Sequence, residues 1–288
     1  MKQFIEGVLE KTKIELYSKI NITRIKSLNS QKIKIPIING IGRNNLSVSE
    51  IWMIELLRKL LKHKQGIFID IGVNLGQTLI KLRVVDSTVG YIGFEPNPVC
   101  VFYVKELIKA NNFLNSTVIP IGLFNSDRLL QLDFFDESEI DSSASLIEGF
   151  RNKHKIYHRQ FVPVFSFESI VSKLTFSDIA IIKIDVEGSE LEVIEGLYQT
   201  ILTYQPVLIL EILPVHSSKN TMRKERQDKI EQIFSALSYR MFRVIKTGTN
   251  ELDELQEVNT IGIHSNLEQC DYVAIPKKSD FFNEFCSS

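Results

Sequence analysis

Apolar residues along this chain come in short unbroken runs that alternate with stretches spaced at three and four, and the alternation lays out a fold. The runs at 66–71, 90–94, 117–121, 178–184, 206–212, 239–245 and 272–275 predict buried strands, with further strands at 129–134 and 161–165. The helical spacings predict helices over 50–62, 77–83, 99–111, 190–202 and 221–238, and a short one over 166–172. Ser49 stands where a side-chain oxygen caps the first of these, whose Ile51, Ile54, Leu57, Leu60 and Leu61 face a core that also takes Trp52. Strands and helices alternating from 66 to 245 predict a mostly parallel α/β sheet covered on both faces, with an antiparallel hairpin of the last strands at one edge. The remainder is less regular. Residues 1–20 carry an imperfect apolar stripe and predict a helix, and 21–46 predict irregular structure with one or two short strands. Residues 136–149 and the acidic segment 251–259 read as connections. No Pro/Gly/Ser linker divides the chain, so the expected organisation is an N-terminal extension at 1–48, one main domain at 49–276 and a flexible tail at 277–288.

Composition narrows the function classes. The 288 residues are 44% hydrophobic and 24% charged, enough to bury a large core. Lys and Arg number 34 against 35 Asp and Glu, and the formal net charge of -1 gives no overall drive toward nucleic acid. Cys100, Cys270 and Cys286 form no Cys-x-x-Cys pair, which argues against a disulfide scaffold or thiolate zinc centre and for a reducing, cytoplasmic setting. No segment approaches about 18 consecutive apolar residues, so no transmembrane span is expected. Lys and Glu interrupt residues 1–20 too often for a secretory signal. That stripe leaves peripheral attachment or a homodimer contact open.

Candidate chemistry gathers where the strands of such a sheet end. The first end reads Phe68-Ile-Asp-Ile-Gly-Val-Asn-Leu-Gly-Gln-Thr78, a strand, a glycine turn and a helix. Glycine removes side-chain bulk and permits positive φ, so the backbone there can turn sharply against a ligand. The spacing Asp-x-Gly-x-Asn-x-Gly-x-Thr departs from the Gly-x-Gly-x-x-Gly of dinucleotide sites and lacks the Gly-Lys-Ser/Thr of a phosphate loop. A ligand without phosphate fits it. S-adenosylmethionine is one, with ammonium and sulfonium centres that Asp70 can face directly or through water. Glu95 falls 25 positions after Asp70, at the end of the second strand, where a carboxylate can accept both hydrogen bonds of a ribose diol.

A further cluster, Asp185-Val-Glu187-Gly188-Ser-Glu190, sets three carboxylates at a strand-helix junction. Asp185 or Glu187 can orient a substrate or take the proton of an attacking hydroxyl. A divalent cation is a second reading, but no second ligand set is evident and no metal is expected. Glu190 serves equally as a charge at a helix start. His216, after Glu211-Ile-Leu-Pro214, is a candidate base or substrate contact, against an equal reading as a surface residue. His154 and His158 lie four apart in a basic stretch, on one face if it is helical, and read better as a solvated basic surface. The alternatives are a nicotinamide-dependent oxidoreductase, which requires the shorter glycine turn, and a non-catalytic nucleoside-binding protein, which would have lost Asp70 or Glu95.

Together these segments resemble the FkbM-type family of S-adenosylmethionine-dependent methyltransferases. The resemblance is carried by residues 68–78, Gly93-Phe-Glu-Pro-Asn-Pro98, Ile182-Lys-Ile-Asp-Val-Glu-Gly-Ser-Glu-Leu-Glu192 with Val193-Ile-Glu-Gly196, and 206–211, in an order spanning about residues 49–275. It implies a class I methyltransferase fold, a Rossmann-like three-layer sandwich on a seven-stranded, mostly parallel sheet. It implies that Asp70, Gly72, Asn74, Gly76 and Thr78 surround the methionine portion of S-adenosylmethionine. Glu95, with Asn97 beside it, would hold the ribose, and the turn at 125–127, with Ser126 and Asp127, would lie near the adenine. Asp185 and Glu187 would border cofactor and acceptor, with Asp185, Glu187 and His216 as candidates for the base. The implied reaction is O-methylation of a small-molecule or glycan acceptor, a sugar or a secondary metabolite, chosen partly by residues 1–48 and 136–160.

Overall fold

A computed structural model describes residues 21–47, 49–151 and 154–279. The helix expected over 1–20, any contact it makes, and the tail beyond residue 279 lie outside the described residues. Where the sequence predicts irregular structure with one or two short strands, the chain forms two strands, β1 (Ile22–Leu28) and β2 (Gln31–Ile37), paired as an antiparallel hairpin. Strand β2 turns Ile33, Ile35 and Ile37 inward and Lys32 and Lys34 outward, the period of two that a half-buried strand requires. Helix α1 (Ile51–Leu60) buries Trp52, Leu56 and Leu57 and leaves Ile51 exposed. Ser49 does not cap it. Its hydroxyl donates to Gln77 Oε1 at 3.0 Å, while Glu50 takes the N-cap position at φ 52°. The carbonyl of Asn250 receives the Trp52 N–H at 3.0 Å, so a tertiary neighbour meets a donor that a local side chain was expected to meet.

The sheet begins with β3 (Ile67–Ile71), α2 (Gln77–Val85), β4 (Tyr91–Phe94), α3 (Pro98–Asn111) and β5 (Ser116–Ile119). A three-stranded side sheet of β6 (Gly122–Leu123), β7 (Arg128–Phe134) and β8 (His158–Phe165) then leads to the short helix α4 (Phe167–Ile170). The chain returns as β9 (Ile179–Ile184), α5 (Glu190–Gly196), α6 (Tyr198–Tyr204), β10 (Val207–Glu211), α7 (Thr221–Ala236), β11 (Tyr239–Lys246), β12 (Leu252–Val258) and β13 (Asp271–Pro276). The helix expected over 190–202 is thus two. They meet where Gly196 closes on the Phe124 carbonyl, whose oxygen would stand 2.0 Å from any Cβ at that position.

The main sheet has eight strands in the order β12-β11-β13-β10-β9-β3-β4-β5. Strands β10, β9, β3, β4 and β5 are parallel neighbours, and β13, β11 and β12 extend them antiparallel, one strand beyond the seven expected. The extra strand, β12, lies in the acidic stretch read as a connection. Its Leu252, Leu255 and Val258 recur every third residue rather than every second, so the alternation does not reveal it. It is an edge strand, where charged side chains discourage pairing with another chain.

Each face of the sheet buries its own core. Val207 and Ile209 pack with α1, α2 and α3, and Leu208 and Leu210 with α5, α6 and α7. Ile33 and Ile35 of the hairpin share the first core with Trp52 and Phe68. That docking brings the segment between β2 and α1 over the carboxyl ends of the parallel strands. Among the described residues, no helix is long and apolar enough to cross a membrane.

Candidate functional site

A cavity of about 570 Å³ opens where β3, β4, β9 and β10 end. It falls within the ~300–1,000 Å³ typical of small-molecule sites. Its far wall is the 136–146 loop, and its near rim is Asn44, Ser49 and Glu50 from the segment before α1. Lys81 pairs with Glu50 from below.

The glycine turn after β3 forms the floor. Gly72 and Gly76 have φ of 86° and 74°. At Gly72 a Cβ would stand 1.8 Å from the Asp185 carbonyl oxygen, so only bare backbone fits between the ends of β3 and β9. Asn74 sits at φ 47°, a region asparagine tolerates better than most residues. Its N–H donates to Glu95 Oε2 at 2.8 Å, and the Asn97 N–H donates to Oε1 at 2.8 Å. Two backbone donors therefore fix the Glu95 carboxylate across the turn and leave further lone pairs for a ligand. Burial raises the pKa of Glu95 to about 7, against the pull of those two bonds. Thr78 is buried and lines the cavity from the first turn of α2.

Asn97 lines the cavity too, but its side chain is engaged elsewhere. Oδ1 accepts the Val99 N–H at 3.0 Å and caps α3, while Nδ2 donates to the Glu139 carbonyl at 2.7 Å and ties down the loop. Asp70 lies under the turn, fully buried and outside the cavity lining. Its Oδ2 accepts from the Tyr91 hydroxyl at 2.7 Å and its Oδ1 has no partner. Burial raises its pKa to about 6, and Lys183 opposes the rise.

Strand β9 is buried at all six positions, Lys183 included. A buried ammonium is tolerated only beside an anion, and Lys183 Nζ donates to Asp185 Oδ2 at 2.8 Å. Burial alone would lower the pKa of Lys183, but the charges of Asp185 and Asp70 hold it above its ordinary value. Burial likewise works against the Asp185 carboxylate, yet Lys183 and a hydrogen bond with Glu211 bring its pKa below the ordinary value. Glu211, at the end of β10, is raised far above the carboxylate range, first by the charge of Asp185 and then by burial. Glu187 sits at φ 50° and accepts from Arg151 Nη2 at 2.6 Å, with burial raising its pKa. Oxygens of Asp185, Glu187 and Glu211 all lie within 4.8 Å of one another. Lys183 and Arg151 already balance two of them. Glu190 accepts the Gly188 N–H at 2.8 Å at the start of its own helix and stays out of the cavity lining. Burial raises its pKa to about 7.

Ser126, Asp127 and His216 are not brought to the cavity, and Gly76, like Asp70, stays outside its lining. Asp127 Oδ1 accepts from the Ser166 N–H and the Ser169 hydroxyl, both at 2.9 Å, and Ser126 bonds Asn125 at 3.3 Å. The pairing of β6 with β8 carries that turn toward α4, so Gly122 and Leu123 reach the cavity in its place. His216 is exposed on the loop after β10 and does not line the cavity. His158 opens β8 and stacks on Phe134 at 4.0 Å, so it shares no helix face with His154.

Lys183, Glu211 and Glu50 also line the cavity, and none is among the residues expected there from the sequence. A signal existed for the first two. Lys183 is the one charge inside the apolar run 179–184, and Glu211 closes another such run. Glu50 reaches the rim only through the docking of the hairpin and carries no local mark.

Residues 70–241 match the family described as methyltransferase FkbM domain. Among curated proteins, none matches the chain. Similar solved structures include the methyltransferase FkbM from Methylobacillus flagellatus KT, at 15% identity and TM-score 0.45, covering 73% of this chain and 43% of that one. The chain thus spans less than half the length of that protein. The precorrin-6y C5,15-methyltransferase from Geobacter metallireducens GS-15 is 13% identical with TM-score 0.38, covering 81% and 93% of the two chains. An O-methyltransferase from Bacillus cereus in complex with SAH is 12% identical with TM-score 0.45, covering 82% and 84%.

Proposed function

The chain belongs to the FkbM methyltransferase family, whose cofactor is S-adenosylmethionine, and from that premise we propose that it methylates a hydroxyl oxygen on an uncharged sugar, glycan or related secondary metabolite. The observation that carries this reading is the charge of the cavity. Among the described residues lining it, seven are carboxylic acids and one, Lys183, is a cation. Lys81, Lys183 and Arg151 balance Glu50, Asp185 and Glu187, and Glu211 is held protonated, so the excess of negative charge rests on Glu95, Asp136 and Asp141. Such a lining favours a ligand bearing ammonium and sulfonium charge and repels phosphorylated or carboxylated acceptors. A neutral polyol avoids that repulsion and matches the hydrogen-bonding capacity of the walls.

The residues present fit the cofactor. Gly72 leaves the backbone bare at the end of β3, and Glu95 offers free lone pairs at the end of β4. Glu95 would receive the ribose diol, and the turn from Gly72 to Gly76, with Thr78, would flank the methionine portion. Asp70 supports the turn from beneath and adds negative potential through its unpartnered Oδ1. Asn97 would act by holding the loop over the site. When bound, S-adenosylmethionine supplies a methyl group on a positively charged sulfur. The protein aligns donor and acceptor and excludes water. Asp185 and Glu187 border the acceptor end, each already fixed by its cation.

The test is methyl transfer from labelled S-adenosylmethionine to a panel of neutral glycans, secondary metabolites, phosphorylated sugars and uronic acids. Label is expected in an ether of a neutral acceptor. Label confined to phosphorylated or carboxylated acceptors, or to nitrogen, would overturn the assignment.

A further inference from the structure

Glu211 ends β10 beside the end of β9, lines the cavity, and has an oxygen within 4.8 Å of oxygens of Asp185 and Glu187. Charged groups face it from both neighbouring strands. From β9 and the turn after it come Asp185 with Lys183 at 2.8 Å and Glu187 with Arg151 at 2.6 Å. From β13 comes Asp271, directly opposite in register, with Lys246 of β11 paired to it and Cys270 just before it. Each neighbouring carboxylate therefore has its own cation. Among the described residues of this group, Glu211 has none. Its neighbour in hydrogen bonding is Asp185, and two carboxyls so placed hold one proton between them.

Resting on the methyltransferase reading, we propose that Glu211 takes the proton of the acceptor hydroxyl, with Asp185 as its hydrogen-bond partner and Lys183 as the residue that positions Asp185. The carboxyl pair first releases its shared proton to water, and Lys183 offsets part of the repulsion that follows. The acceptor O–H bond then breaks and its proton passes to the Glu211 carboxylate. The freed electron pair forms the new O–C bond, and the pair of the broken C–S bond remains on sulfur as a neutral thioether. A carboxyl kept protonated at neutral pH becomes a stronger base than an ordinary carboxylate once ionised. The rate should rise through an alkaline limb that belongs to the Asp185–Glu211 pair.

The test combines a pH–rate profile with a titration that needs no turnover. Wild-type kcat should rise about tenfold per pH unit along the limb. Glu211→Gln keeps the size and a hydrogen bond to Asp185 but cannot ionise, so it should lose the limb and lower kcat by about 10²-fold or more. Its affinity for S-adenosylmethionine by calorimetry should stay unchanged, which also reports an intact fold, and Glu211→Asp should restore the limb. In the cofactor-free protein, carboxyl carbon NMR should show Glu211 titrating well above the other glutamates. An unchanged limb in Glu211→Gln overturns the base alone, as does Glu211 titrating near its ordinary value. Failure of the wild type to methylate any hydroxyl acceptor overturns the acceptor assignment and this base with it.

Discussion

Glu95 shows how one residue serves fold and ligand together. Its two oxygens each accept a backbone N–H at 2.8 Å, from Asn74 and from Asn97. Replacing it by alanine would strand two donors, each costing about 1–3 kcal/mol where buried, and would confuse binding with folding. Glu95→Gln keeps the shape and removes the charge, stranding one backbone donor rather than two, so its affinity is read beside its urea stability. Hydrogen bonds to a charged group contribute about 1.5–3 kcal/mol, so this variant should bind S-adenosylmethionine at least about tenfold more weakly at pH 8. The wild-type affinity should weaken as pH falls through about 7, because protonation removes an acceptor from the diol site, and the variant should show no such dependence. Calorimetry at several pH values checks both, and a wild-type affinity indifferent to pH would remove Glu95 from the ribose site. The type and spacing of Glu95 are legible in the sequence. Its two backbone donors are not, because they depend on how the turn after β3 folds over β4.

At the scale of elements, strands and helices announce themselves where one face is buried, and that is why β3, β4, β9 and β10 lie close to where the pattern sets them. The departures have local causes. Strand β12 is an edge with apolar residues every third position, and α5 and α6 part where Gly196 meets the Phe124 carbonyl. One element anchor lay hidden in a helical stripe. Arg83 of α2 is almost fully buried and donates to the Val89 carbonyl at 2.7 Å, the Asn115 carbonyl at 3.3 Å and the Ser116 hydroxyl at 2.7 Å. It fastens the entries of β4 and β5 at the edge of the sheet away from the cavity. Arg83→Met should lower stability by about 3 kcal/mol, since it leaves buried acceptors without donors. Urea denaturation measures that loss, and the folded variant should bind S-adenosylmethionine as the wild type does.

For the whole molecule, buried carboxyls set an unusual pH dependence. Burial raises Asp70 and Asp271 to about 6 and Glu95 and Glu190 to about 7. Between their unfolded values near 4 and these folded values, the folded state binds more protons, so stability falls as pH rises through that window. His264, lowered by burial, acts in the opposite sense as a single imidazole. Asp86, Asp141 and Asp185 are lowered and contribute stability that is lost only at acid pH, below the ordinary carboxylate range. The melting temperature of the cofactor-free protein should therefore fall from pH 5 to pH 8. A cationic ligand in the cavity should flatten the slope. A melting temperature that rises over that interval would contradict the protonation states assigned to these four groups and to Glu187 and Glu211, which are raised in the same sense.

The alternation of strands and helices, the glycine turn at Gly72 and Gly76, and the acids at the strand ends, Asp70, Glu95 and Asp185, are legible along the chain alone. These are properties of residues close together in the chain: side-chain period, permitted φ, and the point where an apolar run stops. The tertiary structure decided which charge meets which. Glu211 lies between Asp185 and Asp271 because β10 takes its place between β9 and β13, and no spacing along the chain encodes that order. The same dependence on distant partners took the turn at 125–127 to α4 and His216 to the surface, and brought Glu50 to the rim. Electrostatics acts through space at a few ångströms, and only the packed sheet sets those distances.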